Sequence, residues 1–188
     1  MNQFNSESVF PPIFLIGMMG SGKSYWCKAI AKHLQLNGVD LDAYIENQQQ
    51  QTIAHIFHEK GEMHFRKIES VTLHSLGIQK NMVIATGGGT PCFYDNMKWM
   101  NMHGITIWIN EPISTLTERL WKERIHRPLI AHFESKEALS HFLITKLEER
   151  NSFYKMANVC LNEPKLTIQS FIKAIQSLAP KSFNLNHS

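Results

Sequence analysis

Short apolar runs alternate along the chain with longer stretches of helical periodicity. The apolar runs predict five short strands, at residues 12–16, 39–41, 82–85, 105–109 and 158–161. Between them, apolar side chains recur at helical spacing, as Trp26, Ile30 and Leu34 do, which is typical of an amphipathic helix. Strands that alternate with helices indicate a parallel sheet covered on both faces. The pattern therefore predicts an α/β fold.

A single domain accounts for the whole pattern. The predicted helices occupy residues 24–36, 42–59, 62–76, 96–102, 113–123, 135–156 and 167–178. A chain of 188 residues suits one domain with a full core, and we place that domain at 1–180. Residues 181–188 are polar and are expected to form a loose tail.

Composition narrows the class of protein. A formal net charge of +3 is too weak to indicate nucleic-acid binding, although it suits a site that handles anions. The three cysteines are widely spread and indicate neither a metal site nor a disulfide framework. The sequence shows no signal peptide, and no apolar run approaches the ~20 residues that span a bilayer. We expect a cytoplasmic monomer without a nucleic-acid or membrane partner.

The most specific motif lies between the first predicted strand and the first predicted helix. Residues 17–24 read Gly-Met-Met-Gly-Ser-Gly-Lys-Ser, the pattern of a phosphate-binding loop. Such a loop wraps phosphate oxygens with backbone N–H groups at a helix N-terminus. Lys23 would reach the β- and γ-phosphates, and the Ser24 hydroxyl would bind magnesium. The predicted nucleotide-binding residues of the loop are Gly20, Ser21, Gly22, Lys23, Ser24 and Tyr25.

Two carboxylates follow the second predicted strand. In an extended segment, Asp40 and Asp42 would point to the same side and face the phosphate-binding end. One could hold magnesium through its water shell, and the other could orient an attacking hydroxyl. The alternative is a solvated turn or a helix N-cap. Because ligands bind at the carboxyl ends of parallel strands, we expect both to converge with the glycine loop.

Two arginines and a glycine triplet are candidates for binding an anionic substrate. The planar guanidinium groups of Arg66 and Arg150 match a carboxylate, although a lone arginine on a helix is usually solvated. Residues 87–89 are all glycine and follow a predicted strand, where they would let the backbone approach a ligand closely. The alternative for this triplet is a flexible turn.

A basic segment at about residues 122–134 is interpreted as a mobile lid. An arginine brought over the γ-phosphate, such as Arg127, would stabilise charge on the transferring group. Closure would also exclude water, which competes as phosphoryl acceptor. The alternative is an exposed basic loop.

In their order and spacing these pieces resemble the shikimate kinase family over roughly residues 13–178. The matching segments are Gly17–Ser24, Asp40–Asp42, Phe65–Glu69, Thr86–Gly89, Arg127–Leu129, and Arg150 with Tyr154. The resemblance implies a three-layer P-loop kinase fold with a five-stranded parallel sheet of the nucleoside monophosphate kinase type. It also implies magnesium-dependent transfer of the γ-phosphoryl group of ATP to the 3-hydroxyl of shikimate, on the route to chorismate and the aromatic amino acids.

The resemblance further implies roles for individual residues. Lys23, Asp42 and Arg127 would be catalytic, and Arg127 would also contact the nucleotide as the lid arginine. Asp40 would hold, through water, the magnesium that Ser24 binds. The residues that would bind shikimate are Asp42, Arg66, Gly88, Gly89 and Arg150, with Phe57 and Phe65 as apolar walls of the pocket.

Departures from the family pattern fall on the nucleotide side, and two alternative functions stay open. Tyr25 stands where threonine or serine usually follows the loop, and Cys27 replaces a common glycine. One alternative is another small-molecule kinase on the same scaffold, such as a gluconate kinase, since gluconate also offers a carboxylate and hydroxyls. The other is a catalytically silent nucleotide-binding regulator. The triplet and the Arg150 segment favour shikimate over gluconate, and the intact Lys23 opposes a silent regulator.

Overall fold

The computed structural model describes residues 9–127 and 129–178, which form a five-stranded parallel sheet between helices. The strands are β1 (Ile13–Ile16), β2 (Asn37–Asp40), β3 (Met82–Ala85), β4 (Ile105–Ile109) and β5 (Val159–Leu161). Their order across the sheet is β2-β3-β1-β4-β5, and every neighbouring pair is parallel. The predicted five-stranded parallel sheet is confirmed. That residues 1–180 form one domain stays a prediction, and the predicted tail at 181–188 lies outside the described residues.

Eight α-helices occur in the described part of the chain. They are α1 (Lys23–Leu34), α2 (Leu41–Gln49), α3 (Ile53–Lys60), α4 (Glu62–Gly77), α5 (Asn96–His103), α6 (Ile113–Glu123), α7 (Lys136–Tyr154) and α8 (Ile168–Leu178). The single helix predicted at 42–59 is wrong, because Gln50 adopts a left-handed conformation with φ of 53° and Thr52 starts α3 as its N-cap. Over the described ranges, none of these helices combines the length and the apolar character needed to cross a bilayer.

The central strands β1, β3 and β4 are buried throughout, as strands covered on both faces must be, whereas the edge strand β2 is partly exposed. Phe14 and Ile16 of β1 point into one core cluster, which contains side chains of α2 to α7. Ile13 and Leu15 point into the other, which is closed by α1 and α8. The predicted covering of both faces by helices is therefore confirmed.

The sheet order brings the predicted site segments to one edge. Strand β3 lies between β1 and β2, with Leu15 and Asp40 both paired in register with Ala85. The glycine loop follows β1, the acidic pair follows β2, and the glycine triplet follows β3. All three segments therefore leave the sheet side by side at its carboxyl edge.

Candidate active site

A cleft of about 590 Å³ opens at the carboxyl edge of the sheet. The predicted residues that line it are Gly20, Gly22, Lys23, Ser24, Tyr25, Asp40, Asp42, Gly88 and Arg127. Ser21 is fully buried beneath the loop, and its N–H donates to the carbonyl of Met18 at 3.2 Å. Arg66 and Arg150 are not part of this lining, and neither is Gly89, the last residue of the glycine triplet. The two arginines adjoin the cleft beside the triplet.

The glycine loop wraps around a buried lysine. Gly20 and Gly22 have φ of 78° and 88°, in the left-handed region that favours glycine. The ammonium group of Lys23 donates to the carbonyls of Gly17 and Met18, each at 2.9 Å. Burial lowers the pKa of Lys23 to about 8, against the opposing effect of Asp42 and Asp40. An incoming phosphate would supply the negative charge that this buried cation lacks.

The N-terminus of α1 opens into the cleft without a capping side chain. Its N-cap is Gly22, which offers no side-chain acceptor, and its first turn contains no acidic residue. The first N–H groups of a helix need acceptors, and the helix dipole favours an anion there. This end of the cleft therefore fits a phosphate group.

The acidic pair reaches the cleft by a different geometry from the extended segment predicted. Strand β2 ends at Asp40, which becomes the N-cap of α2 and accepts from the N–H of Ala43 at 3.2 Å. Asp42 lies in the first turn of α2, so the premise that both residues are extended is wrong. The N-cap alternative describes Asp40, and both residues still line the cleft. The Ser24 hydroxyl donates a short hydrogen bond to Asp40 Oδ2, which joins the two predicted magnesium-binding residues.

Asp42 is the acidic group with an unusual proton affinity. Burial, together with the neighbouring charges of Glu69 and Asp40, raises the pKa of Asp42 to about 6, although Lys23 and Arg66 act in the opposite direction. A carboxylate with a pKa near neutrality can accept a proton from a hydroxyl more readily than an ordinary aspartate.

The glycine triplet is required by the side chains that crowd against it. A Cβ at Gly87 would lie 3.0 Å from Asp42 Oδ1, one at Gly88 would lie 3.0 Å from a guanidinium nitrogen of Arg150, and one at Gly89 would lie 2.6 Å from a guanidinium nitrogen of Arg66. The same Cβ at Gly88 would also be 3.6 Å from the backbone nitrogen of Met19 in the glycine loop. The triplet is thus the meeting point of the acidic residue, both arginines and the loop.

Arg66 is clamped in place before any substrate arrives. Its guanidinium group bonds Glu62 at 3.1 Å and Glu69 at 2.8 Å, and it lies 4.6 Å from the ring centre of Phe93 and 5.2 Å from that of Phe65. Phe57 packs against Phe65, with ring centres 4.9 Å apart. No role for Glu69 or Phe93 is predicted from the sequence. Arg66 and Glu69 are three residues apart on a predicted helix, and this spacing indicates that their side chains can form an ion pair.

Arg150 and Tyr154 approach the triplet from one face of α7. The hydroxyl of the fully buried Tyr154 donates to the carbonyl of Gly88 at 2.6 Å. A guanidinium nitrogen of Arg150 lies 4.0 Å from the sulfur of Met18. Over the residues that the structure describes, Arg150 forms no ion pair. Its charge is therefore available to an anionic ligand.

The predicted lid arginine is held by a neighbouring glutamate. Helix α6 ends at Glu123, a 3₁₀ turn follows at Arg124–His126, and Arg127 donates from Nε and a terminal nitrogen to Glu123 at 3.0 and 2.7 Å. Arg119, one helical turn before Glu123, donates to the carbonyl of Gly20 at 3.2 Å and so joins α6 to the glycine loop. The mobility of segment 122–134 stays a prediction, and its Pro128 lies outside the described residues.

Comparison with known proteins gives a consistent result. Residues 19–179 match a family model described as shikimate kinase. A shikimate kinase from Bacteroides fragilis is 38% identical over 174 residues, which cover 93% of this chain and 97% of that protein. A solved shikimate kinase from Bacteroides thetaiotaomicron is 38% identical with a TM-score of 0.81, covering 91% of this chain and 97% of that one.

Two further solved structures resemble this chain at lower sequence identity. A shikimate kinase from Acinetobacter baumannii, in complex with shikimate, is 29% identical with a TM-score of 0.79, covering 89% of this chain and 94% of that one. A gluconokinase from Sinorhizobium meliloti is 16% identical with a TM-score of 0.59, covering 92% of this chain and 95% of that one. At that identity the gluconokinase shares the fold alone.

Proposed function

Because this chain belongs to the shikimate kinase family, we propose that it transfers the γ-phosphoryl group of ATP to the 3-hydroxyl of shikimate. One observation carries the proposal. Asp42, Arg66 and Arg150 surround the glycine triplet, which itself lies against the phosphate-binding loop. A cyclic alcohol that also carries a carboxylate needs this combination of one acid and two cations beside a phosphate site.

The acceptor end of the cleft is suited to an anionic ring. Arg150 offers an uncommitted charge, and Arg66 offers the donors that its glutamates leave over, so the two can share a carboxylate. Phe57 is half-buried and packs against the buried Phe65, so Phe57 is the one of the two that would supply apolar surface for the ring carbons. Asp42 accepts hydrogen bonds from ring hydroxyls. We assign substrate binding to Asp42, Arg66, Arg150 and the backbone of Gly88 and Gly89.

The reaction needs positioning and charge stabilisation more than covalent chemistry. The 3-hydroxyl oxygen forms a bond to the γ-phosphorus while the bond from that phosphorus to the β–γ bridging oxygen breaks, and the hydroxyl proton passes to Asp42 or to solvent. Asp42 orients the hydroxyl. Lys23 and Arg127 provide positive charge beside the oxygens of the transferring group. These roles for Lys23, Asp42 and Arg127 are part of the proposal.

The donor set at the loop fits magnesium and a nucleotide. The hydroxyl of Ser24 and the carboxylate of Asp40 are both hard oxygen ligands, and they already adjoin each other. Mg²⁺, when bound, would neutralise the phosphate oxygens. Tyr25 is 68% exposed and lines the cleft, so its backbone N–H is the group that we assign to the nucleotide. We assign nucleotide contact to Gly20, Ser21, Gly22, Lys23, Ser24, Tyr25 and Arg127.

One assay tests the proposal. ADP release is measured with magnesium and ATP, while shikimate, gluconate and nucleoside monophosphates are offered in turn. We expect turnover with shikimate. Turnover with gluconate alone would overturn the proposal, and ATP binding without turnover on any acceptor would favour the silent regulator. A monomeric state and a cytoplasmic location stay predictions from the sequence.

A further inference from the structure

A buried chain of polar side chains lies behind Arg66 and extends away from the cleft. Glu69 is fully buried and receives two hydrogen bonds, from Arg66 at 2.8 Å on Oε2 and from the Thr90 hydroxyl at 2.6 Å on Oε1. The carbonyl of Thr90 accepts from Asn96 Nδ2 at 3.0 Å, and Asn96 Oδ1 accepts from the Ser70 hydroxyl at 2.8 Å. The chain therefore joins α4, the 3₁₀ turn at Thr90–Cys92 and α5.

Thr90 fixes the rotation of the Glu69 carboxylate. A carboxylate on a helix can turn about its side-chain torsions, and a bond from Arg66 alone would let both groups move together. Thr90 comes from a different element, and its hydroxyl holds the second oxygen of Glu69. Hydrogen bonds to a charged group are short and strong, and they are stronger still where water is excluded.

The Thr90 hydroxyl is not needed to build the turn in which it lies. Backbone bonds form that turn, from the N–H of Thr90 to Gly87 at 3.2 Å and from the N–H of Cys92 to Gly89 at 2.9 Å. The hydroxyl instead crosses to a helix 21 residues away in sequence. Its orientation is therefore directed at Glu69 rather than at its own backbone.

The hydrogen bond between Thr90 and Glu69 affects the cleft through Arg66. Bonds to Glu62 and Glu69 occupy three of the five N–H donors of Arg66, which leaves two for a ligand. Their direction depends on where the two glutamates hold the guanidinium plane. Gly89, which precedes Thr90, has its Cβ position filled by that same plane at 2.6 Å, so the turn sets both the space and the clamp.

We propose that Thr90 is a positioning residue of the acceptor site, which acts through Glu69 to aim the free donors of Arg66 at the carboxylate of the substrate. This rests on the function proposed above. Asn96 supports the same arrangement by holding the backbone of Thr90. Thr90 itself need not touch the substrate.

The test compares Thr90→Val with a matched buried threonine. In Thr90→Val the KM and the Kd for shikimate should rise, by at most the roughly tenfold to hundredfold that a hydrogen bond to a charged group is worth, while the KM for ATP stays near its wild-type value. Thr90→Ser should restore shikimate affinity, because it returns the hydroxyl. Thr117→Val is the control, since that residue is also buried and its hydroxyl bonds within its own helix, to the carbonyl of Ile113 at 2.8 Å.

The outcomes separate this inference from the proposed function. Wild-type protein that neither binds nor phosphorylates shikimate would refute the function itself. If the wild type is active, unchanged shikimate affinity in Thr90→Val, an equal loss in Thr117→Val, or no recovery in Thr90→Ser would overturn the inference. Should Thr90→Val fold poorly, Thr90→Ala removes the same hydroxyl without a branched side chain and is read by the same criteria.

Discussion

Arg66 and Arg150 are both expected to contribute to substrate binding, but only Arg66 is expected to contribute strongly to folding stability. Each would be changed to alanine. Arg66 is 8% exposed and is paired with two glutamates, one of them fully buried. Arg150 is half-buried and, within the described residues, carries no ion pair. The two substitutions therefore remove the same kind of charge from one pocket but leave different groups behind.

The magnitudes follow from this difference. Removing a cation that pairs with a buried substrate carboxylate costs about 2–5 kcal/mol of binding, which is roughly thirtyfold to several thousandfold in the Kd for shikimate. Arg66→Ala also leaves Glu69 buried without its cation, a situation that costs about 3–5 kcal/mol of folding stability. For a domain of this size that corresponds to a fall in Tm of about 6–20 °C. Arg150→Ala should change the stability by less than about 1 kcal/mol.

Calorimetric titration with shikimate and thermal melting measure the two quantities separately. The control is the double variant Arg66→Ala with Glu69→Gln, which removes the orphaned charge. It should recover much of the lost Tm and none of the lost shikimate affinity. Wild-type shikimate affinity in Arg66→Ala would contradict the assigned role, and a Tm loss in Arg150→Ala as large as that in Arg66→Ala would contradict the account of Glu69.

Four further predictions concern other parts of the cleft. Asp42→Asn should lower kcat by roughly 10²–10⁴-fold, the range for losing a general base, yet raise the free energy of unfolding at pH 7 by up to about 3 kcal/mol. The raised pKa of about 6 means that the ionised form weakens the fold as pH rises from about 4 to 6, so unchanged stability in a denaturant titration would contradict this. In the wild type, kcat should fall as pH drops below about 6, and Glu69→Gln should move that fall to lower pH because the charge of Glu69 raises the pKa of Asp42. Arg127→Ala should lower kcat and leave the Kd for shikimate unchanged, and a loss confined to shikimate binding would refute its place at the transferring group. Tyr154→Phe removes the hydrogen bond to the carbonyl of Gly88. It should weaken shikimate binding by about 0.5–1.5 kcal/mol, seen as a higher KM for shikimate with little change in the KM for ATP.

The sheet could be predicted from the sequence because its signals are local. Four of the five strands are short, mainly apolar runs, and the run at 105–109 coincides with β4 in full. The exception is β2, whose four residues include only one large apolar side chain, Val39. The chain reversal at Gln50 could not be foreseen in the same way, because glutamine has no special preference for the left-handed conformation that it adopts there. Thr52 was the one cue to the break, as an N-cap residue between two helical stretches.

The membership of the site was easier to predict than its geometry. Asp40 and Asp42 reach the cleft, but through the start of a helix rather than along a strand, because an N-cap bond competes with extension at that point. The role of Thr90 could not be predicted, because it depends on a contact with Glu69, 21 residues earlier in the chain. No periodicity in the sequence encodes such a contact.

The glycine triplet shows why the remaining geometry could not be read from the chain. Three consecutive glycines predict a backbone that can approach a ligand because side chains are absent, but they do not indicate which groups occupy the space. In the folded protein the missing side chains correspond to space taken by Asp42, Arg150 and Arg66, which come from α2, α7 and α4. Any side chain at Gly89 would displace the guanidinium group of Arg66 and thereby its pairing with the buried Glu69. The absence of side chains in the triplet therefore allows charged groups from three helices to share one small volume next to the phosphate-binding loop.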